Sequence, residues 1–99
     1  MTVYLVMKNE RNYGETIMKG FRKIESAFEF IDEEVIPRFE KIYIHEIYED
    51  EEDLYRVYKA DKDDYGMGYV YYSITDLEDV GYGEEEMCST WIKKVEVEW

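Results

Sequence analysis

Leu54-Tyr55-Arg56-Val57-Tyr58-Lys59-Ala60, Asp61-Lys62-Asp63-Asp64-Tyr65-Gly66 and Met67-Gly68-Tyr69-Val70-Tyr71-Tyr72-Ser73-Ile74-Thr75 follow one another without a break. The outer two runs are rich in aromatic and β-branched residues, and the middle run is Asp-rich and closes on Gly. That pattern predicts a β-hairpin with strands over 54–60 and 67–75 and a turn over 61–66. Five consecutive carboxylates, Glu49-Asp50-Glu51-Glu52-Asp53, lead into it as a loop or strand end.

Upstream, Lys41 to Tyr48 alternates apolar and polar residues and predicts another strand. Ile24, Ala27, Phe28, Ile31 and Val35 recur at helical spacing, with Glu25, Glu29, Asp32 and Glu33 on the other side. Pro37 lacks a backbone donor and disfavours helix at Ile36, so the helix is expected to end or kink there. Val3, Leu5 and Met7 alternate with Tyr4, Val6 and Lys8, which predicts a strand interior to a sheet. Asn9 to Gly14 carries turn chemistry, and Thr16 to Phe21 returns as a second strand with Gly20 as a weak point or bulge.

Downstream, Thr75 to Glu86 shows no clear period and is expected to be loop with at most one helical turn. The Trp91–Trp99 segment reads as a last strand, and its charges suggest an outer one. The expected class is α+β: a mainly antiparallel sheet of about five to six strands, in β-β-α-β-β-β-β order, with one helix packed on one face. The 99 residues make a single domain with one modest core.

Charge is the unusual property. There are 25 acidic and 12 basic residues, for a net charge of −13. Residues 1–45 are nearly neutral, and residues 46–99 hold 17 acids against 5 bases. A field of that sign repels phosphate, so direct binding to nucleic acid or an anionic membrane is not expected, whereas a basic partner is steered inward. No apolar run is long enough to span a membrane, and the N-terminus lacks the pattern of a secretory leader. Cys88 is the sole cysteine, so no internal disulfide can form and a reducing compartment is expected.

Catalytic and metal chemistry find little support. Asp61, Asp63, Asp64 and Gly66 resemble the start of a calcium loop, but Tyr65 and Tyr72 stand where ligands are needed. Cys88 and His45 are the only Cys–His pair, and neither lies in a recognisable motif. Glu86 beside Cys88 would raise the thiol pKa rather than activate it. Gly66-x-Gly68 and Gly81-x-Gly83 lack the helix and Lys of a phosphate loop. No catalytic residue, metal site or cofactor is assigned, and the chain is expected not to be an enzyme.

What remains is an acidic and aromatic surface. Alternate residues of a strand lie about 6.6 Å apart on one face, near the spacing of successive phosphates. Tyrosines set among acids supply flat contact area at low entropic cost. The candidate partner-binding residues are Glu49, Asp50, Glu51, Glu52, Asp53, Tyr55, Tyr58, Asp61, Asp63, Asp64, Tyr65, Glu84, Glu85 and Glu86. Tyr69, Tyr71, Tyr72 and Tyr82 are counted with them as interleaved aromatics.

In length, charge, the 49–53 and 61–64 clusters and tyrosine content, the chain resembles small acidic proteins of phages and mobile elements. Among these are the anti-CRISPR and other DNA-mimic inhibitors. The likeness is one of type and transfers no residue roles. It implies a phosphate-mimicking inhibitor of a basic nucleic-acid-binding protein, a nuclease or CRISPR effector, in the cytoplasm of a bacterial host cell. The alternative is a small structural or assembly module, a homodimer joined through the Trp91–Trp99 strand, whose acidic surface merely solubilises it.

Overall fold

The computed structural model describes residues 1–11, 13–45, 55–63, 70–79 and 83–98, with the backbone alone for residues 45, 78, 79 and 83–85. Strands β1 (Thr2–Glu10) and β2 (Gly14–Phe21) form the expected hairpin. Gly14 takes φ +69°, a left-handed conformation that glycine adopts without a Cβ penalty. Val6 faces Lys19 while Met7 faces Ile17, so Met18 is the extra residue of a bulge. The irregularity expected at Gly20 therefore falls at Met18. Gly20 serves another purpose: a Cβ there would lie 3.2 Å from Leu5 Cδ2 and 3.3 Å from Val3 Cγ1.

A helical segment follows from Ile24 to His45. Ile24–Phe30 and Ile36–Glu40 are α-helical, and Ile31–Val35 and Lys41–His45 wind in wider π turns. The helix does not end at Pro37, and residues 41–45 are helical rather than the start of a strand. Proline inside a helix costs about 3 kcal/mol. On either side of it, however, Ile36 and Phe39 are buried, and each such side chain returns roughly 1.5–3 kcal/mol. The π turn just before Pro37 shifts the hydrogen-bond register where the missing N–H would leave a gap.

Strands β3 (Tyr55–Lys59), β4 (Val70–Asp79) and β5 (Gly83–Glu96) complete one five-stranded antiparallel sheet, ordered β2-β1-β5-β4-β3. The class is α+β, mainly sheet, with helical residues on one face. The β3–β4 hairpin forms as expected. Two segments differ from expectation. Residues 75–79 and 83–86, expected as loop, are the facing ends of β4 and β5. The C-terminal strand, expected at the outside, lies at the centre between β1 and β4. Its length explains this: β5 has 14 residues, enough for β1 and β4 to form ladders along both of its edges. Thr90 is fully buried there, and its hydroxyl donates to the Met7 carbonyl at 2.7 Å.

The core lies between sheet and helix. Val6, Ile74, Cys88 and Ile92 meet Ala27, Phe28, Ile31, Val35, Ile36 and Phe39. Among the described residues, no helix is long and apolar enough to cross a membrane.

Candidate functional site

Neighbouring residues of a regular strand point to opposite faces. Tyr71 and Tyr72 break that rule, because the β4–β5 register shifts between Val70 and Tyr72 and a bulge turns both rings toward the helix. Both are almost wholly buried. The Tyr71 hydroxyl donates to Asp32 Oδ1 at 3.1 Å, and that of Tyr72 donates to Glu40 Oε1 at 3.0 Å. These two tyrosines are core residues that tie the sheet to the helix, and they are not surface anchors. Burial, and then the facing carboxylates, push both phenols well above the ordinary tyrosine range.

Asp32 is the centre of a small charge network. Lys62 Nζ lies 2.7 Å from Oδ2 and Lys59 Nζ 3.1 Å from Oδ1. Partial burial pushes the carboxyl upward, but the hydrogen bonds from Lys62, Lys59 and Tyr71 outweigh it and hold the pKa below 3.8. The ammonium of Lys62 also sits 5.6 Å from the centre of the Phe28 ring, and that of Lys59 5.7 Å from that of Tyr71. The turn after β3 is thereby fastened to the helix.

The predicted partner-binding residues divide as follows. Asp61 and Asp63 are exposed in this turn, with the Asp63 N–H donating to Asp61 Oδ1 at 3.0 Å. Tyr58 is 51% exposed on edge strand β3. Tyr55 is half-buried and packs against the core. Glu86 is exposed on β5. Glu84 and Glu85 belong to β5, and their side chains lie outside the described residues. Glu49, Asp50, Glu51, Glu52, Asp53, Asp64 and Tyr65 lie outside the described residues, as do Tyr69 and Tyr82.

Cys88 is fully buried, and its thiol is pushed up to about 12, by burial first and by Glu10 and Glu86 in addition. A thiol so protonated is a packing group at neutral pH. Among the described residues, no cluster of three His, Cys, Asp or Glu side chains is placed to hold a metal ion.

The structure assembles an acidic site that the charge count along the chain did not reveal. Glu29, Glu33 and Glu34 surround a shallow groove of about 290 Å³ with Phe21, Phe30 and Ser26. The two phenyl rings lie 5.5 Å apart at a tilt of 47°. Lys19 reaches over both rings, at 5.4 and 5.7 Å from their centres. Three carboxylates thus face one ammonium, and none of the three has an ion-pair partner among the described residues. Glu25, one helical turn before Glu29, is exposed and extends the row. The sequence signal was the polar side of the helical stripe. What it lacked was Phe21, which β2 brings against Phe30.

Comparison of the chain with protein-family models, with characterised proteins and with solved structures returns no match.

Proposed function

We propose that this chain is a non-enzymatic acidic protein that occupies the basic, nucleic-acid-binding surface of another protein, a nuclease or CRISPR effector, with carboxylates in place of phosphates. The observation that supports this most is the groove of Glu29, Glu33 and Glu34 around Phe21 and Phe30. A partner's Arg or Lys entering it meets, at the rim, carboxylates with no ion-pair partner among the described residues and, beneath, aromatic faces, the two features that hold a cation. The carboxylates stand on a helix packed into the core, so little ordering is needed on binding. Exposed Asp61, Asp63, Tyr58 and Glu86 extend the acidic and aromatic surface on the sheet.

The test is a pull-down from a bacterial lysate at low and high salt, followed by competition with nucleic acid. Captured basic proteins should be released as salt shortens the screening length and should be displaced by nucleic acid. The triple variant Glu29→Gln, Glu33→Gln, Glu34→Gln should lose capture and keep its fold. Capture that is indifferent to salt and to that variant rejects this proposal.

A second reading, a homodimeric assembly module, draws on the other sheet face. Val3, Leu5, Met7, Ile17, Trp91 and Val95 share that face by register, and Ile17 is 58% exposed on it. Pairing through the edge of the C-terminal strand is overturned, because β1 and β4 occupy both edges of β5. A homodimer through this face would stack sheet on sheet, and a mass that rises with concentration in sedimentation would identify it.

A further inference from the structure

Beyond Pro37, between the helix and the β1–β2 hairpin, a second cleft opens with a volume of about 540 Å³, within the roughly 300–1,000 Å³ range of small-molecule sites. Its electrostatics are the reverse of the chain's. Among the described residues that line it, Lys8 and Arg38 face a single acid, Glu10, in a protein of net charge −13. Glu10 is only 7% exposed and already engaged. Its Oε2 lies 3.7 Å from Lys8 Nζ, and its charge helps to keep the Tyr43 phenol protonated. Burial and Glu10 push Tyr43 up to about 12, so at neutral pH it stays neutral and adds no second negative charge to the cleft. Glu10 thus holds the Lys8 ammonium in place.

Arg38 has no ion-pair partner among the described residues and presents its fork of N–H donors to the cleft. Thr16 adds a hydroxyl. Tyr13, 79% exposed, and Ile42 supply apolar walls.

We propose that this cleft binds a small organic oxyanion with a planar body, Arg38 taking the carboxylate or phosphate in bidentate fashion, Lys8 adding a second charge, and the ring lying against Tyr13 and Ile42. The net charge of the chain disfavours any anion at long range, so occupancy comes from these local contacts. The site lies apart from the acidic groove and shares no lining residue with it.

The experiment is a nuclear magnetic resonance titration of the isotope-labelled full chain with three probes: inorganic phosphate, adenosine monophosphate and benzoate. Saturable shifts confined to Lys8, Tyr13, Thr16, Arg38 and Ile42 are expected with at least one of the two ring-bearing probes, and tighter than with inorganic phosphate. Whichever of adenosine monophosphate and benzoate binds more tightly identifies the oxyanion as phosphate or carboxylate. Arg38 is exposed, so Arg38→Gln should keep the fold, as the same spectra will show, and should weaken binding by about tenfold or more. Arg38→Lys, which keeps charge and loses the fork, should fall between. Absence of saturable shifts with all three probes overturns the proposal, as does equal binding by Arg38→Gln. Inorganic phosphate binding as tightly as both ring-bearing probes overturns the planar body.

Discussion

Glu29, Glu33 and Glu34 stand on the first half of the helix around two phenyl rings; Arg38, on the second half, opens onto a cleft with Lys8. Among the described residues, one helix therefore carries acids without an ion-pair partner in its first half and such a cation in its second. Asp32 lies between them and is held by two lysines and a tyrosine hydroxyl. Position along the helix does not explain these differences. What each residue faces does: Asp32 looks toward β3 and β4, Glu29 and Glu33 toward β2 and solvent, Arg38 toward the β1–β2 turn. A count of charges along a chain cannot separate a neutralised carboxylate from an available one.

The most damaging way to break the comparison is to remove what both ends rest on. Phe39 is fully buried, with its ring 6.1 Å from that of Tyr43. Phe39→Ala should cost about 3–5 kcal/mol in urea denaturation. A loss below about 1 kcal/mol would mean that the helix past Pro37 is not packed as described.

Next comes Asp32. Asp32→Asn should cost about 1 kcal/mol, since its lysine partners are about half exposed and solvent screens them. The folded pKa is lower than the unfolded one, so this contribution is present at neutral pH and is lost as pH falls below 3.8 toward the folded value. Acid denaturation curves of wild type and variant should converge there.

Tyr43 gives the alkaline counterpart. Its folded pKa, about 12, exceeds the unfolded value of 10.0, so the stability it contributes is intact below 10 and is lost as pH rises toward 12. Tyr43→Phe should flatten the fall in melting temperature over that interval.

The smallest effect belongs to the groove. Glu25 and Glu29 are like charges one turn apart, a spacing that costs about 0.2–0.5 kcal/mol. Glu29→Gln should leave stability unchanged or raise it by that amount in thermal melts, while lowering capture of basic proteins. A clear loss of stability would show that Glu29 has a structural partner and is not a free carboxylate.

Much of the architecture was legible from local pattern. The alternation from Val3 to Lys8 and Gly14 at the turn announced the first hairpin; Ile24, Ala27, Phe28 and Ile31 announced the helix; Leu54 to Thr75 announced the second hairpin. Three segments escaped because distant partners outweighed local signals. Residues 41–45 have strand-like residues but continue the buried stripe of Ile36 and Phe39. Asp76 to Asp79 have poor strand propensity but pair with β5, and Asp76 lies 3.8 Å from Arg11. The charged Trp91–Trp99 segment reads as an edge, yet the strand Gly83–Glu96 that contains its start is central, with Lys93, Lys94 and Glu96 exposed.

By itself the sequence determined the period of each main element, the turn at Gly14, the excess of carboxylates and the lack of a second cysteine. These are local or additive properties, set by residue type and spacing. Tertiary structure alone decided which charges are spent and which remain available. Packing of the helix across the sheet joins Asp32 to Lys59 and Lys62, Phe30 to Phe21, and Arg38 to Lys8, across gaps of up to 30 residues in the chain. The physical reason is that a charge is neutralised by what lies within a few ångströms of it, and the fold chooses those neighbours.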